Sequence, residues 1–183
     1  MILAISSGHN YGTGARAYNG DDEWEHNEFL RELIVAEAWR HDIEVHSFER
    51  DQSLHYPVAM RKLANQIKEC GADACLELHF NSSKNSGANG YEFIHYKSSV
   101  GGARLAKNLS KSYGMYGMGY TPRRGTGTLA RGRFSRGSAY LRMTPCPAII
   151  VETHFGSNKA DHDKAIKSRG TQAEAIVCAL RNY

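Results

Sequence analysis

The chain has 183 residues, 23 lysines and arginines against 19 aspartates and glutamates, and a net charge of +4. That length fits one domain (1–183) with a core of its own, and its apolar and charged fractions are those of an ordinary globular chain. No apolar run approaches the roughly 20 residues of a membrane-spanning helix, and Met1–Ser6 lacks the basic leader and cleavage site of a signal peptide. The expectation is therefore no membrane insertion, and synthesis in a cytoplasm.

Strand and helix signals alternate along the chain. Ile2–Ser6 reads as a short buried strand, followed by a loop rich in Gly, Asn and Thr that runs to Asp22. From Glu23 to about His41, Leu30, Leu33, Ile34 and Trp39 recur at helical spacing. Ile43–Phe48 alternates as a second strand. Pro57 then opens a helix carried by Ala59, Leu63 and Ile67, a first-turn position that tolerates proline. Asp73–His79 is a third strand, with Leu76 and Leu78 on one face and Cys75, Glu77 and His79 on the other. Tyr91–Tyr96 is a strand, Ala103–Tyr113 a helix, Tyr140–Met143 a short strand and Pro147–Thr153 a strong one. A helix from about Thr171 carries Ala173, Ile176, Val177 and Leu180 on its apolar stripe. This alternation predicts an α/β single domain: a central, mostly parallel (mixed) twisted sheet flanked by helices on both faces.

Gly114–Gly137, rich in Gly and Arg, is the one irregular stretch, and a loop of that length in a compact domain is usually functional or mobile. Between Glu92 and Glu152 there is no acidic residue at all, while ten cations from Lys97 to Arg142 fall inside. Such polarity points to an anionic polymer, or else to a solvated positive face. The cysteines Cys70, Cys75, Cys146 and Cys178 show no C-x-x-C spacing and read as buried free thiols.

His9 follows the first strand by three residues, His79 closes the third, and Glu152 lies near the end of the last. Ligand sites in open α/β sheets form beyond the carboxyl ends of the strands, so these three residues should converge there. A single histidine after a strand is more often structural than a ligand. Glu152 is harder to dismiss, because a charge inside the apolar run Ala148–Thr153 needs something to offset its desolvation. Zinc suits such a set: it takes imidazole and carboxylate, leaves one position for water and brings that water to a pKa of about 7. A carboxylate held off the metal then moves the proton.

At these residues the sequence resembles the zinc-dependent N-acetylmuramoyl-L-alanine amidases of the amidase 3 type, in particular the single-domain catalytic portions of phage endolysins. Four segments carry the likeness. They are Ser7-Gly8-His9 with Gly14-Ala15, Glu23-Trp24-Glu25-His26-Asn27, Glu77-Leu78-His79-Phe80-Asn81, and Leu141-Arg142 through Pro147–Glu152 to Phe155, Ser157 and Asn158. The opening SGHN lacks the Asp-Pro before it and the glycines after it that many members have.

The resemblance implies Zn2+ held by His9, Glu23 and His79, with Glu152 as the catalytic carboxylate and peptidoglycan as the substrate. Asn27, four residues on, favours Glu23 over Glu25 as the ligand. Asn81 and Arg142 are expected to bind substrate by their positions, and Arg123 and Arg124 to favour the anionic wall in a salt-sensitive way. His26, His154 and His162 fall outside the matching positions and read as surface residues or as residues behind the ligands. The implied reaction cuts the amide between N-acetylmuramic acid and L-alanine of the stem peptide, by an enzyme that acts on the wall after release and has no separate wall-binding domain. The alternatives are another zinc hydrolase on a related scaffold, such as a carboxypeptidase or N-acyl amino acid amidohydrolase, and a non-catalytic basic polymer-binding module. Tyr113, Tyr116, Tyr120 and Phe134 interleave loosely with the cations, but binding gives no reason for the ordered His, Glu, His, Glu set, so no nucleic-acid partner is expected.

Overall fold

The computed structural model describes residues 1–183. Six strands form one sheet: β1 (Ile2–Ser7), β2 (Glu44–Phe48), β3 (Ala74–Asn81), β4 (Glu92–Tyr96), β5 (Thr128–Arg131) and β6 (Ala148–Phe155). Their order is β2-β1-β3-β6-β4-β5. All pairs are parallel except β4 with β6, so the sheet is mixed and mostly parallel. Around it lie α1 (Glu23–Trp39), α2 (Tyr56–Glu69), α3 (Val100–Met115), α4 (Ser138–Met143), α5 (Lys159–Lys167) and α6 (Arg169–Arg181). None of these helices is long and apolar enough to cross a membrane.

The period-2 alternation of the strands divides the core in two. Leu3, Ile5, Leu76, Leu78, Phe93, Ile149 and Val151 face α1, α3 and α6, while Ala4, Cys75, Ile94 and Ile150 face α2 and α4. Strands buried on both faces are what parallel sheets require, and they read as the continuous apolar runs seen in the sequence.

Three elements differ from the sequence-based expectation. Tyr140–Met143 is helical, within α4, and not a strand. Four residues carry no readable period, and Ala, Leu, Arg and Met are strong helix formers; burial of Tyr140 and Leu141 against α2 settles the conformation. The Gly- and Arg-rich stretch is not all loop, since Arg123–Gly125 form a 3-10 turn and β5 adds an edge strand. Helix α5 escaped a reading by apolar stripe because it is mostly polar; Asn158 caps it by accepting from the Asp161 amide. All four cysteines are free, but only Cys75 is buried.

Candidate active site

Helix α1 begins where Asp22 accepts a hydrogen bond from the Trp24 amide, and acidic Glu23 and Glu25 suit the first turn of a helix. Glu23, Asn27, Leu30 and Ile34 recur at helical spacing and are buried, whereas Glu25 is exposed. Asn27 clamps this face to the sheet by donating from Nδ2 to the Leu78 carbonyl at 3.1 Å. The choice of Glu23 therefore has a mechanical basis: the same clamp that buries Asn27 swings Glu23 towards His79.

His9, Glu23 and His79 converge. His79 Nδ1 lies 3.1 Å from Glu23 Oε1 and His9 Nε2 3.6 Å from Glu23 Oε2, and the two rings meet edge to face with centroids 5.1 Å apart. One ligand atom from each residue falls within 4.8 Å of the others. Glu23 is steadied by the Ala15 and Phe80 amides at 2.8 and 3.2 Å. Two glycines make room. A Cβ on Gly8 would stand 1.8 Å from His79 Nε2, and one on Gly14 would stand 2.8 Å from His9 Cγ at a φ of +102°. The shared motif residues Gly8 and Gly14 are thus the space the imidazoles occupy.

The electrostatics agree with a cation-binding set. Burial disfavours a charged Glu23, but the hydrogen bond from His79 prevails and holds its carboxyl below the usual range. Burial likewise works against a charged His79, yet bonds to Glu23 and Glu77 overcome it and raise the imidazole to about 10. Burial lowers His9. Two imidazoles and one carboxylate, close together and facing a cleft, match the donor set of a catalytic zinc site.

Glu152 stands in register with His79 across the β3–β6 pair. Its Oε2 is buried with no hydrogen-bond partner, and burial, partly countered by His79, raises its pKa to about 7. An orphaned carboxylate oxygen with a pKa near neutrality is suited to taking and returning a proton.

The cleft holding these groups is about 480 Å³, the size of a small-ligand site. Asn81 lines it, as expected, but Arg142 does not: it is exposed on α4. Arg123 and Arg124 are also elsewhere, both paired with buried Glu92 at 3.2 and 3.1 Å. The cations that do line the cleft are Arg50, Arg131 and Arg136, with Tyr56 beside them. Sequence reasoning missed Arg50 altogether; it follows β2, another strand carboxyl end, which was the available signal. Glu92 was missed too. It faces Glu152 directly on the antiparallel side and accepts from Asn81 Nδ2 at 3.4 Å.

His26, His154 and His162 are not at the surface; they lie behind the ligands, on the far side of Phe80. They are buried together as a separate cluster, divided from the cleft by Phe80. The Phe80 amide serves Glu23 while its ring packs on His26 and His154.

Comparison with known proteins bears on the same chain. Residues 3–182 match the family model described as N-acetylmuramoyl-L-alanine amidase, amidase 3. No curated protein sequence matches the chain. Among solved structures, the N-acetylmuramoyl-L-alanine amidase from Clostridium difficile 630 is similar with a TM-score of 0.82 and 23% identity, over 100% of this chain and 95% of that one. The catalytic domain of the CD27L endolysin targeting Clostridia Difficile gives 0.81 and 23%, over 100% and 97%. That of CwlV from Bacillus (Paenibacillus) polymyxa var. colistinus gives 0.79 and 20%, over 100% and 97%. At these identities the likeness establishes a shared fold.

Proposed function

The chain belongs to the N-acetylmuramoyl-L-alanine amidase family, and on that premise we propose that its cleft hydrolyses the amide between the lactyl group of N-acetylmuramic acid and L-alanine of the stem peptide. The observation that carries this reading is the convergence of His9, Glu23 and His79 within 4.8 Å, beside an unpartnered Glu152. His9, Glu23 and His79 would hold zinc, which supplies Lewis acidity towards the scissile carbonyl and lowers the pKa of water to about 7.

The remaining work falls to the chain itself. Glu152 takes the proton of the attacking water on Oε2 and returns it to the departing alanine amine, a shuttle for which a pKa of about 7 is well matched. Glu77, 3.3 Å from His79 Nε2, orients that ring. Arg50, Arg131 and Arg136 face the cleft and offer cations to stem-peptide carboxylates, and Asn81 offers its amide. Arg142 is exposed and does not line the cleft.

The likeness to an endolysin catalytic domain, together with the four motif segments, supports a role in lysis, with the wall reached after release from the cell that makes the enzyme. Digestion of purified peptidoglycan, with zinc and after chelation, tests the reaction. New N-terminal alanine that disappears with the metal supports it. Release of any other terminus would move the chemistry to a different bond, and added chain that clears no turbid cell suspension, walls permeabilised, would remove the lytic role.

A further inference from the structure

Behind the cleft, three histidines from three different elements meet in the core: His26 from α1, His154 from β6 and His162 from α5. They are 2%, 0% and 0% exposed, and one ring nitrogen from each lies within 4.8 Å of the others. Their ring centroids are 4.8 to 5.6 Å apart. Buried imidazoles are expected to hydrogen-bond, and the contacts fix where their protons sit. Asp21 Oδ2 accepts from His162 Nε2 at 3.0 Å, which leaves His162 Nδ1 as a lone pair. That lone pair faces His154 Nε2 at 2.9 Å, so His154 Nε2 carries the proton and His154 Nδ1 accepts from the Thr153 hydroxyl at 2.9 Å. Arg169 donates to His26 Nδ1 at 2.9 Å, which puts the His26 proton on Nε2. His26 Nε2 is buried with no partner at all.

A donor left unpaired inside a protein is costly, so a satisfied structural network does not account for this cluster. We propose that His26, His154 and His162 form a second metal site, for a divalent transition ion of the kind imidazole prefers (zinc, cobalt or nickel), distinct from the catalytic site. The chemistry of the set excludes calcium and magnesium, which need oxygen donors. His162 already has the required tautomer, with Nδ1 free and Nε2–H held by Asp21; a carboxylate behind a ligating histidine is a recurrent way to fix ring and proton. His154 reaches it by moving its proton from Nε2 to Nδ1, where the Thr153 oxygen accepts it. His26 moves its proton to Nδ1, and Arg169, half-buried, turns away from it. No proton is gained or lost. Burial holds His26 at about 3 and His154 well below its ordinary value, so both are neutral imidazoles across the physiological range, the form that binds metal.

The site has a structural consequence. Helix α1 also carries Glu23, and β6 carries Glu152, so an ion joining His26, His154 and His162 ties together the elements that set the catalytic spacing. The β3–β6 register slips between His79/Glu152 and Asn81/Phe155, placing an extra β6 residue beside His154. Bulges of this kind re-aim a side chain.

Cobalt(II) titration of the full-length chain, freed of metal by chelator and dialysis, tests the proposal by counting ions, independently of activity. The wild-type chain is expected to bind two ions. His9→Ala/His79→Ala, which removes two catalytic donors and leaves the buried cluster intact, is expected to retain one and to melt at higher temperature with it, as a ligand of the native state alone must produce. His154→Gln/His162→Gln is expected to keep only the catalytic ion. Arg169→Met, made in the His9→Ala/His79→Ala background, should tighten the remaining ion several-fold by removing an opposing charge. A folded His9→Ala/His79→Ala chain that binds no cobalt overturns the proposal, as does a wild-type chain that binds one. An affinity unmoved by Arg169→Met takes His26 out of the donor set and overturns the three-imidazole assignment.

Discussion

His79 on β3 and Glu152 on β6 stand opposite each other in register across neighbouring parallel strands. Their separation is therefore set by the sheet's hydrogen bonds and not by a contact between the side chains. A variant at one position should leave the other in place. Glu152→Gln is expected to lower the rate of N-terminal alanine release by roughly 10²–10⁴-fold, the usual contribution of a positioned proton shuttle. Its metal content, measured on the same preparation, should stay at the wild-type value. Loss of metal along with activity would make Glu152 a ligand and not a base.

Gly8 packs against the His79 ring. Gly8→Ala places a methyl group 1.8 Å from the present His79 Nε2, so the ring must leave its position. We expect weakened zinc retention on dialysis and a stability loss of about 1–3 kcal/mol, as for overpacking elsewhere. Metal analysis and thermal melting check the two effects separately.

The arginines divide into two groups with opposite expected behaviour. Arg123 and Arg124 both pair with buried Glu92, so Arg123→Ala/Arg124→Ala strands a carboxylate in the core and should cost on the order of 3 kcal/mol of stability. Arg50→Ala and Arg136→Ala, at the cleft, should raise KM for wall fragments several-fold at low salt and less at high salt, because cations open to solvent are screened. Melting curves and a KM series over ionic strength distinguish the groups. A salt-dependent KM effect confined to Arg123 and Arg124 would reverse the assignment.

Two buried histidines give the metal-free chain opposing pH dependences. His79 is raised from 6.5 to about 10, so its stabilisation is complete below pH 6.5 and is lost as pH rises towards 10. His26 is lowered from 6.5 to about 3, so the unfolded chain binds the extra proton first, and stability is lost as pH falls from 6.5 towards 3. Each contributes at most about 5 kcal/mol. Melting in chelator should therefore show weakening on both sides of neutrality. His79→Gln should flatten the alkaline side, and His26→Gln should weaken the acid side in part, since buried His154 is lowered as well.

Much of this was legible in one dimension. The alternating strand and helix signals, with apolar runs long enough for double-sided burial, define the mixed sheet and the carboxyl-end positions of His9, His79 and Glu152. The family resemblance, through Asn27, favours Glu23 over Glu25, and the structure adds the clamp from Asn27 to Leu78. Short elements were less readable. The four residues of Tyr140–Met143 span about one helical turn, so period and burial are indistinguishable until α2 packs against them.

What the sequence determined by itself is the fold class and the order of the chemical residues, because both depend on local periodicity and on motif spacing along the chain. What only the tertiary structure decided is which charges and imidazoles share a neighbourhood. Arg124 lies 32 positions from Glu92 and pairs with it, while Arg142, ten before Glu152, is exposed and does not line the cleft. His26 and His162 are separated by more than a hundred residues, yet both end in one buried cluster. Coulombic and hydrogen-bond energies depend on distance in space, and that distance exists only once the sheet has folded.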